Sequence, residues 1–226
     1  MIRSNVLIAI LLATAGCQSM GAKKSPDFIA PLAMEHVANE KIPTPKNERE
    51  LCIRTAATVA GSGHLSEAIA LYEKAERLDP QTDPLDRQLA PLYAQTDQAE
   101  KAIARYQGAI NRSPHDAELR NNFTWTLLEL GRVEQALAAV EDALKKFPEH
   151  RRLQSTRALA LYRQGNRTAA FQQFASLYGS SAAHHNMALL DIEAGDEANA
   201  RRELTQALAQ TPSAKTIELA TAVEAE

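Results

Sequence analysis

The chain has 226 residues and a formal net charge of -3, with 45% hydrophobic and 23% charged residues, a composition typical of a globular protein. The negative net charge gives no indication of the basic surface that is typical of nucleic-acid-binding proteins, so we expect no nucleic-acid partner. Only 9 glycines and 10 prolines occur, and alanine and leucine are concentrated in runs such as 136–146. Because these side chains lose little freedom in a helix, the composition favours helices over sheets.

The first sixteen residues are predicted to be a targeting segment. Arg3 supplies a positive charge, and residues 6–13 form an apolar run that is too short to span a bilayer but suits the core of a signal peptide. The segment ends in ATAGC at residues 13–17. This ending resembles a bacterial lipoprotein signal, in which a cysteine is acylated and becomes the first residue of the mature chain. The resemblance implies lipidation of Cys17 and an exported, lipid-anchored protein.

Ordinary signal cleavage after Ala15 is the alternative interpretation. Residues 13–15 fit the A-x-A rule, and Thr14 stands where lipoprotein signals usually have leucine. The short segment and the position of Cys17 directly after two small residues favour lipidation. Gln18 follows Cys17, and the absence of Asp there predicts sorting to an outer membrane, facing the periplasm, if the host has two membranes.

Residues 17–46 are predicted to be a largely flexible tether. Prolines interrupt this polar segment repeatedly, and only residues 32–40 suit a short helix. A flexible coil of about thirty residues spans roughly 30 Å on average. The tether would therefore hold the following domain near the membrane without pressing it against the surface.

From residue 47 the sequence repeats with a period of 34 residues. Prolines recur at Pro80, Pro114 and Pro148, and alanines recur at Ala68, Ala102 and Ala136. A period of 34 residues with two helices, a turn and a closing proline resembles the tetratricopeptide repeat. The resemblance implies an all-α fold, a right-handed α-solenoid of about five helical hairpins with a C-terminal capping helix. The predicted repeat domain is 47–214, with units near 49–82, 83–116, 117–150, 151–180 and 181–214, and the capping helix is 215–226.

Small residues are expected where the two helices of each hairpin approach closely. In the first helices these are Ala56, Ala90, Thr124, Ala158 and Ala188, and in the second helices Ala68, Ala102, Ala136, Ala170 and Ala200. In four units a glycine is expected to end the first helix in the left-handed conformation. In the second unit Asp97 stands in place of that glycine. The spacing between Gly165 and Gly195 is 30 rather than 34, which predicts a short second helix ending near Tyr178. Pro91 is expected inside a first helix.

In tetratricopeptide proteins the first helices line a concave groove that binds ligands. The family register, carried onto this chain, places six large apolar residues there, here named the apolar stripe: Trp125, Leu128, Leu159, Tyr162, Leu189 and Ile192. Asn121 lies beside them in the same register. An exposed stripe of this kind marks a partner site. The alternatives are that these residues pack against neighbouring first helices, or that the tether covers them.

Some family members bind a peptide's C-terminal carboxylate with groove residues, and part of that set is present. Arg87, Asn122 and Arg152 occupy three of the positions. Pro91 and Thr156 stand where the family has Asn and a basic residue, so the resemblance implies an incomplete clamp, and anion recognition needs converging donors.

We expect no enzyme activity, cofactor, metal site or small-molecule substrate. The histidines His184 and His185 are adjacent, which is poor geometry for one metal on a helix. Cys52 has no disulfide partner if Cys17 is acylated, and we expect it to be buried. The hypothesis is a non-enzymatic scaffold lipoprotein that binds a protein or peptide, with an architecture similar to pilotins and pilus-assembly lipoproteins. The alternative is an accessory peptide-binding subunit or chaperone of an envelope enzyme complex.

Overall fold

The computed structural model describes residues 45–224. The predicted signal segment, Cys17 and nearly all of the predicted tether lie outside these residues. The described part contains eleven α-helices and no strand. They are α1 (Glu48–Gly61), α2 (Leu65–Leu78), α3 (Asp86–Gln95), α4 (Ala99–Arg112), α5 (Ala117–Glu129), α6 (Val133–Lys146), α7 (Arg151–Arg163), α8 (Arg167–Tyr178), α9 (Ser180–Glu193), α10 (Glu197–Gln210) and α11 (Ala214–Glu224). None of these described helices is long and apolar enough to cross a membrane.

The helices pack as consecutive hairpins, which confirms the all-α repeat fold. By packing, the described chain divides into two units, residues 45–139 and residues 140–224. In the first unit α1 packs on α2 and α3 on α4, and in the second α7 packs on α8 and α9 on α10. The terminal helix α11 packs on α10.

Glycines terminate the first helices as predicted, because the turn needs a left-handed residue. The φ angle is +84° at Gly63, +72° at Gly131, +91° at Gly165 and +74° at Gly195. Asp97 adopts the same conformation, with φ of +58°, and is the only non-glycine residue with positive φ in the described chain. Asp is among the few residues that tolerate this region, so the second hairpin keeps the same turn without a glycine.

Small residues fill the helix crossings of the first unit, as predicted. Ala56, Ala68, Ala90 and Ala102 are completely buried. The ring of Tyr72 packs in the same core cluster as Ala68 and Ala75. This cluster also contains Cys52, whose thiol is free and buried as expected.

The second unit repeats this packing with one shortened helix. Ala158, Ala170, Ala188 and Ala200 are completely buried. The helix α8 ends at Tyr178, and the single residue Gly179 joins it to α9, which confirms the predicted truncation. The guanidinium of Arg151 donates a hydrogen bond to the Leu177 carbonyl (2.6 Å), which satisfies a backbone acceptor in the last turn of the shortened α8.

Candidate functional site

The middle of α5 carries the predicted site residues of the first unit. Asn121, Asn122 and Trp125 are half-buried, and their spacing of three and four residues places them on one face of the helix. Leu128 is only 2% exposed. The expectation of an exposed stripe is therefore wrong at Leu128, because α5 buries Leu119, Leu127 and Leu128 in the protein interior.

An open cavity of about 510 Å³ lies at the start of the same helix. It is lined by Arg87, Arg112, Ser113, Pro114, His115, Asp116, Ala117 and Glu118. Glu118 is one helical turn before Asn121 and Asn122, so the cavity and the half-buried face of Trp125 follow one side of α5.

The predicted clamp residue Arg87 is already paired in this cavity. Its guanidinium binds the carboxylate of Asp116, which also accepts a hydrogen bond from the Leu119 amide (2.8 Å). Partial burial opposes ionisation of Asp116, but the bonds from the Leu119 amide and Arg87 hold its pKa below the usual value. Arg87 therefore neutralises a helix cap rather than offering an unpaired cation to a peptide carboxylate.

A compensated ionic cluster joins α2, α3 and α4 beside the cavity. Arg105 donates to Glu76 (2.7 Å) and to Asp86 (2.8 Å), and Arg112 also binds Asp86. Asp86 is only 4% exposed. Although burial disfavours the charged form of Arg105, its bonds to Glu76 and Asp86 raise its pKa above the ordinary value. Each charge has a partner, so this cluster fastens helices together and supplies no reactive group.

In the second unit, residues of the apolar stripe are buried or packed against other side chains of the protein. Leu159 is only 3% exposed, so the expectation of exposure is wrong there as well, because α7 is buried along most of its length. Leu189 and Ile192 are half-buried on α9. Ile192 packs against the cluster of Ala188, Leu204 and Val223, which includes the terminal helix. Arg152 is half-buried on α7.

Tyr162 takes part in a second buried ionic cluster. Its hydroxyl donates to Asp191 (2.6 Å), which is 0% exposed and also binds Arg167. Burial and the bond to Asp191 raise the pKa of Tyr162, so the phenol stays protonated. The guanidinium of Arg167 lies 5.4 Å from the centre of the Tyr162 ring. Tyr162 therefore links α7 to α9 through a hydrogen bond. The prediction of an apolar stripe did not include this role.

The sequence held a signal for this second cluster. Asp191 occupies the register position of Tyr93, Leu127 and Leu161, all of which are buried. A carboxylate at a core position requires a cationic partner, which Arg167 provides.

The adjacent histidines His184 and His185 bind different partners. His184 pairs with Glu203 (2.7 Å), and His185 contacts the Thr216 hydroxyl (3.0 Å). Within residues 45–224 no group of three or more His, Cys, Asp or Glu side chains is arranged to hold a metal ion.

Comparisons with known proteins agree with this architecture. A family model described as tetratricopeptide repeat matches residues 97–160. A tetratricopeptide repeat protein from Parabacteroides merdae is similar in structure, with a TM-score of 0.58, 19% identity, and coverage of 78% of this chain and 72% of that chain. A thermophilic repeat protein of Thermus thermophilus gives a TM-score of 0.51 at 20% identity, covering 78% of this chain and 97% of its own.

YrrB, described as a tetratricopeptide protein with an unusual peptide-binding site, gives a TM-score of 0.51 at 18% identity, covering 77% of this chain and 91% of its own. A search of curated proteins returned no match. The family model shows tetratricopeptide repeats over residues 97–160, and the 34-residue period and the helical hairpins show the same repeat architecture through the rest of the described residues.

Proposed function

We propose that this protein is a non-enzymatic scaffold that binds a protein or peptide partner through the face of α5 that carries Trp125. The observation that carries the proposal is the half-buried Trp125, aligned with Asn121 and Asn122 and continuing into the open cavity at Glu118. An aromatic anchor beside a concavity is the arrangement in which a few residues supply most of the binding energy.

The chemistry of this face suits an uncharged stretch of polypeptide. The Asn121 and Asn122 amides have both donors and acceptors, as backbone recognition requires. The two arginines that line the cavity are paired within the protein, Arg87 with Asp116 and Arg112 with Asp86. A peptide carboxylate would compete with Asp116 for Arg87, so binding of a C-terminal carboxylate is not favoured. Likeness to YrrB, described as having a peptide-binding site, supports the general class of function.

The single tryptophan makes the proposal testable by fluorescence and by capture. Trp125→Ala should abolish most crosslinking of the partner from membranes, and partner addition should protect the wild-type ring from iodide quenching. Phe123→Ala is the matched control, because this half-buried ring on the same helix packs against Tyr106, with 5.5 Å between ring centres. Equal capture by wild type and Trp125→Ala, with loss in Phe123→Ala, would contradict the proposal.

The cellular role is proposed from the N-terminal sequence. We place the scaffold on the outer membrane, facing the periplasm, anchored by acyl chains on Cys17, and acting in envelope or pilus assembly. An accessory peptide-binding subunit or chaperone of an envelope enzyme complex is the alternative. Labelled palmitate should be incorporated into the wild type and not into Cys17→Ser. One lipidated cysteine that carries more than one acyl chain suffices for stable anchoring. Soluble wild-type protein that begins at Gly16 would establish ordinary cleavage instead.

A further inference from the structure

The terminal helix α11 is fastened at its first turn to a buried histidine. His185 on α9 is only 6% exposed, and its Nδ1 lies 3.0 Å from the Thr216 hydroxyl. Thr216 is itself 3% exposed. Its hydroxyl contacts that of Ser213 (2.7 Å), and its amide donates to the Ser213 hydroxyl (3.1 Å). A chain of polar contacts therefore runs from α9 into the N-terminal turn of α11.

Apolar contacts complete the docking of α11. Val223 is buried in a cluster with Ala188 and Leu204, and Leu219 and Ala220 pack around it. At the far end, Arg201 on α10 donates to the Val223 carbonyl (3.1 Å). His185 is therefore the titratable group that the docked α11 covers.

The surroundings of His185 oppose a positive charge. The N-terminal end of α11 carries the positive pole of the helix dipole. Lys215 adds a full positive charge, and burial together with Lys215 lowers the pKa of His185 below the usual value. Glu218 is the other charged residue in the first half of α11, and it is exposed.

Within residues 45–224, the other helices packed on α9 provide no carboxylate for His185. On α10, Glu203 pairs with His184 and with Arg167 of α8, and Arg167 also binds Asp191. Among the described residues, the hydrogen-bond partner of His185 is the neutral hydroxyl of Thr216. An imidazolium formed here would be buried beside like charge without a counterion.

We propose that α11 is a pH-controlled cap, which stays docked while His185 is neutral and leaves α9 and α10 when His185 is protonated. Release would uncover the apolar surface of Ala188, Ile192 and Leu204. The sign follows from linkage, because a histidine with a lowered pKa in the docked state binds fewer protons there than in the released state. Docking is fully favourable above pH 6.5, the ordinary value for histidine, and weakens as the pH falls below it.

Hydrogen exchange of the full-length protein tests this device. Corrected for intrinsic rates, the protection of amides 217–223 should fall several-fold between pH 7.5 and pH 5.0. Protection in α4, which belongs to the other unit, should not change. His185→Gln should remove this dependence, because glutamine remains neutral and keeps polar atoms for Thr216. His184→Gln is the matched control, since His184 binds Glu203 and not α11, and this variant should behave as wild type.

A second variant distinguishes loss of the His185 charge from a packing defect caused by His185→Gln. Lys215 is exposed, so Lys215→Gln should leave α11 docked at pH 7.5. Loss of its charge should bring the pKa of docked His185 closer to the ordinary value and reduce the change in protection. Unchanged wild-type protection at pH 5.0, or the same fall in His185→Gln or Lys215→Gln as in wild type, would overturn the proposal.

Discussion

The side chain of Asn186 is a polar group buried in an apolar part of the protein. It is completely buried on α9, and within the described residues neither atom of its amide group has a hydrogen-bond partner in the protein. Its neighbours on the helix include the buried apolar residues Met187 and Leu190. A buried amide that loses its bonds to water without replacement destabilises the folded state.

We therefore expect Asn186→Leu, a change of similar size, to raise the free energy of unfolding by about 1–3 kcal/mol. Urea unfolding followed by circular dichroism would measure it. The matched control is Asn199→Leu on α10, because the amide nitrogen of Asn199 donates to Asp196 (2.5 Å) and its loss should destabilise the protein. Destabilisation by both substitutions would mean that the Asn186 amide is satisfied in solution.

Two glycines differ in the backbone conformation that they require. Gly179 has φ of +86° and ψ of +163°, a region that is essentially restricted to glycine. Gly131 has φ of +72°, in the range that Asp97 adopts elsewhere in the chain. A Cβ atom would meet nothing within 4 Å at either position, so any difference between substitutions must arise from the backbone.

Gly179→Asn should accordingly destabilise the fold by about 1–3 kcal/mol through strain. Gly131→Asn should cost much less, because asparagine tolerates the left-handed region. Thermal unfolding of the two variants side by side gives the comparison. If Gly131→Asn is the more damaging, the conformational argument for the one-residue junction between α8 and α9 fails.

At the scale of helices, the positions of the small residues were predictable, whereas the ion pairs of Asp86 were not. The small residues where helices cross recur every 34 residues, and every 30 across the shortened unit, so the repeat pattern alone locates them. The partners of Asp86 both lie on α4, with Arg105 19 residues away and Arg112 26 residues away, and no sequence period relates them. Similarly, Leu128 and Leu159 stand at groove positions of the family register, but the surrounding helices bury both side chains.

Gly108 on α4 is explained by this ionic cluster. A Cβ atom at this position would overlap the Asp86 carboxylate, so the glycine gives the carboxylate room between α3 and α4. Glycine inside a helix is otherwise unfavourable by roughly 0.5–1 kcal/mol relative to alanine. The helix therefore loses intrinsic stability to accommodate a contact between elements.

A double-mutant cycle tests the link between Gly108 and Asp86. Gly108→Ala should destabilise the wild type, because Asp86 must move away from Arg105 and Arg112. In an Asp86→Ala background the same substitution should stabilise by roughly 0.5–1 kcal/mol, as expected for helix propensity alone. Chemical unfolding of the four proteins gives the coupling energy. Equal effects in both backgrounds would show that Asp86 does not constrain position 108.

For the molecule as a whole, repetition explains why the architecture was predictable while the binding site remained a hypothesis. Each hairpin contacts mainly its neighbours, so a recurring pattern of small and large residues is sufficient to specify the stack. A partner site depends on which side chains remain accessible after stacking. Trp125 retains partial exposure, whereas Tyr162 is held by Asp191. The period carries no information about that difference.

Each hairpin of a repeat stack leaves an apolar side that the next element must cover. Here α11 covers Ala188, Ile192 and Leu204. Removing residues 214–226 should expose this surface, lower the melting temperature and increase self-association, which light scattering and apolar-dye binding would detect. Removing only Ala225 and Glu226 is the matched control and should change neither property, since it leaves the whole of α11 (Ala214–Glu224) in place. A monomeric truncated protein with wild-type melting would show that the α9–α10 hairpin is stable without its cover, and release of α11 would then have no structural consequence for the rest of the fold.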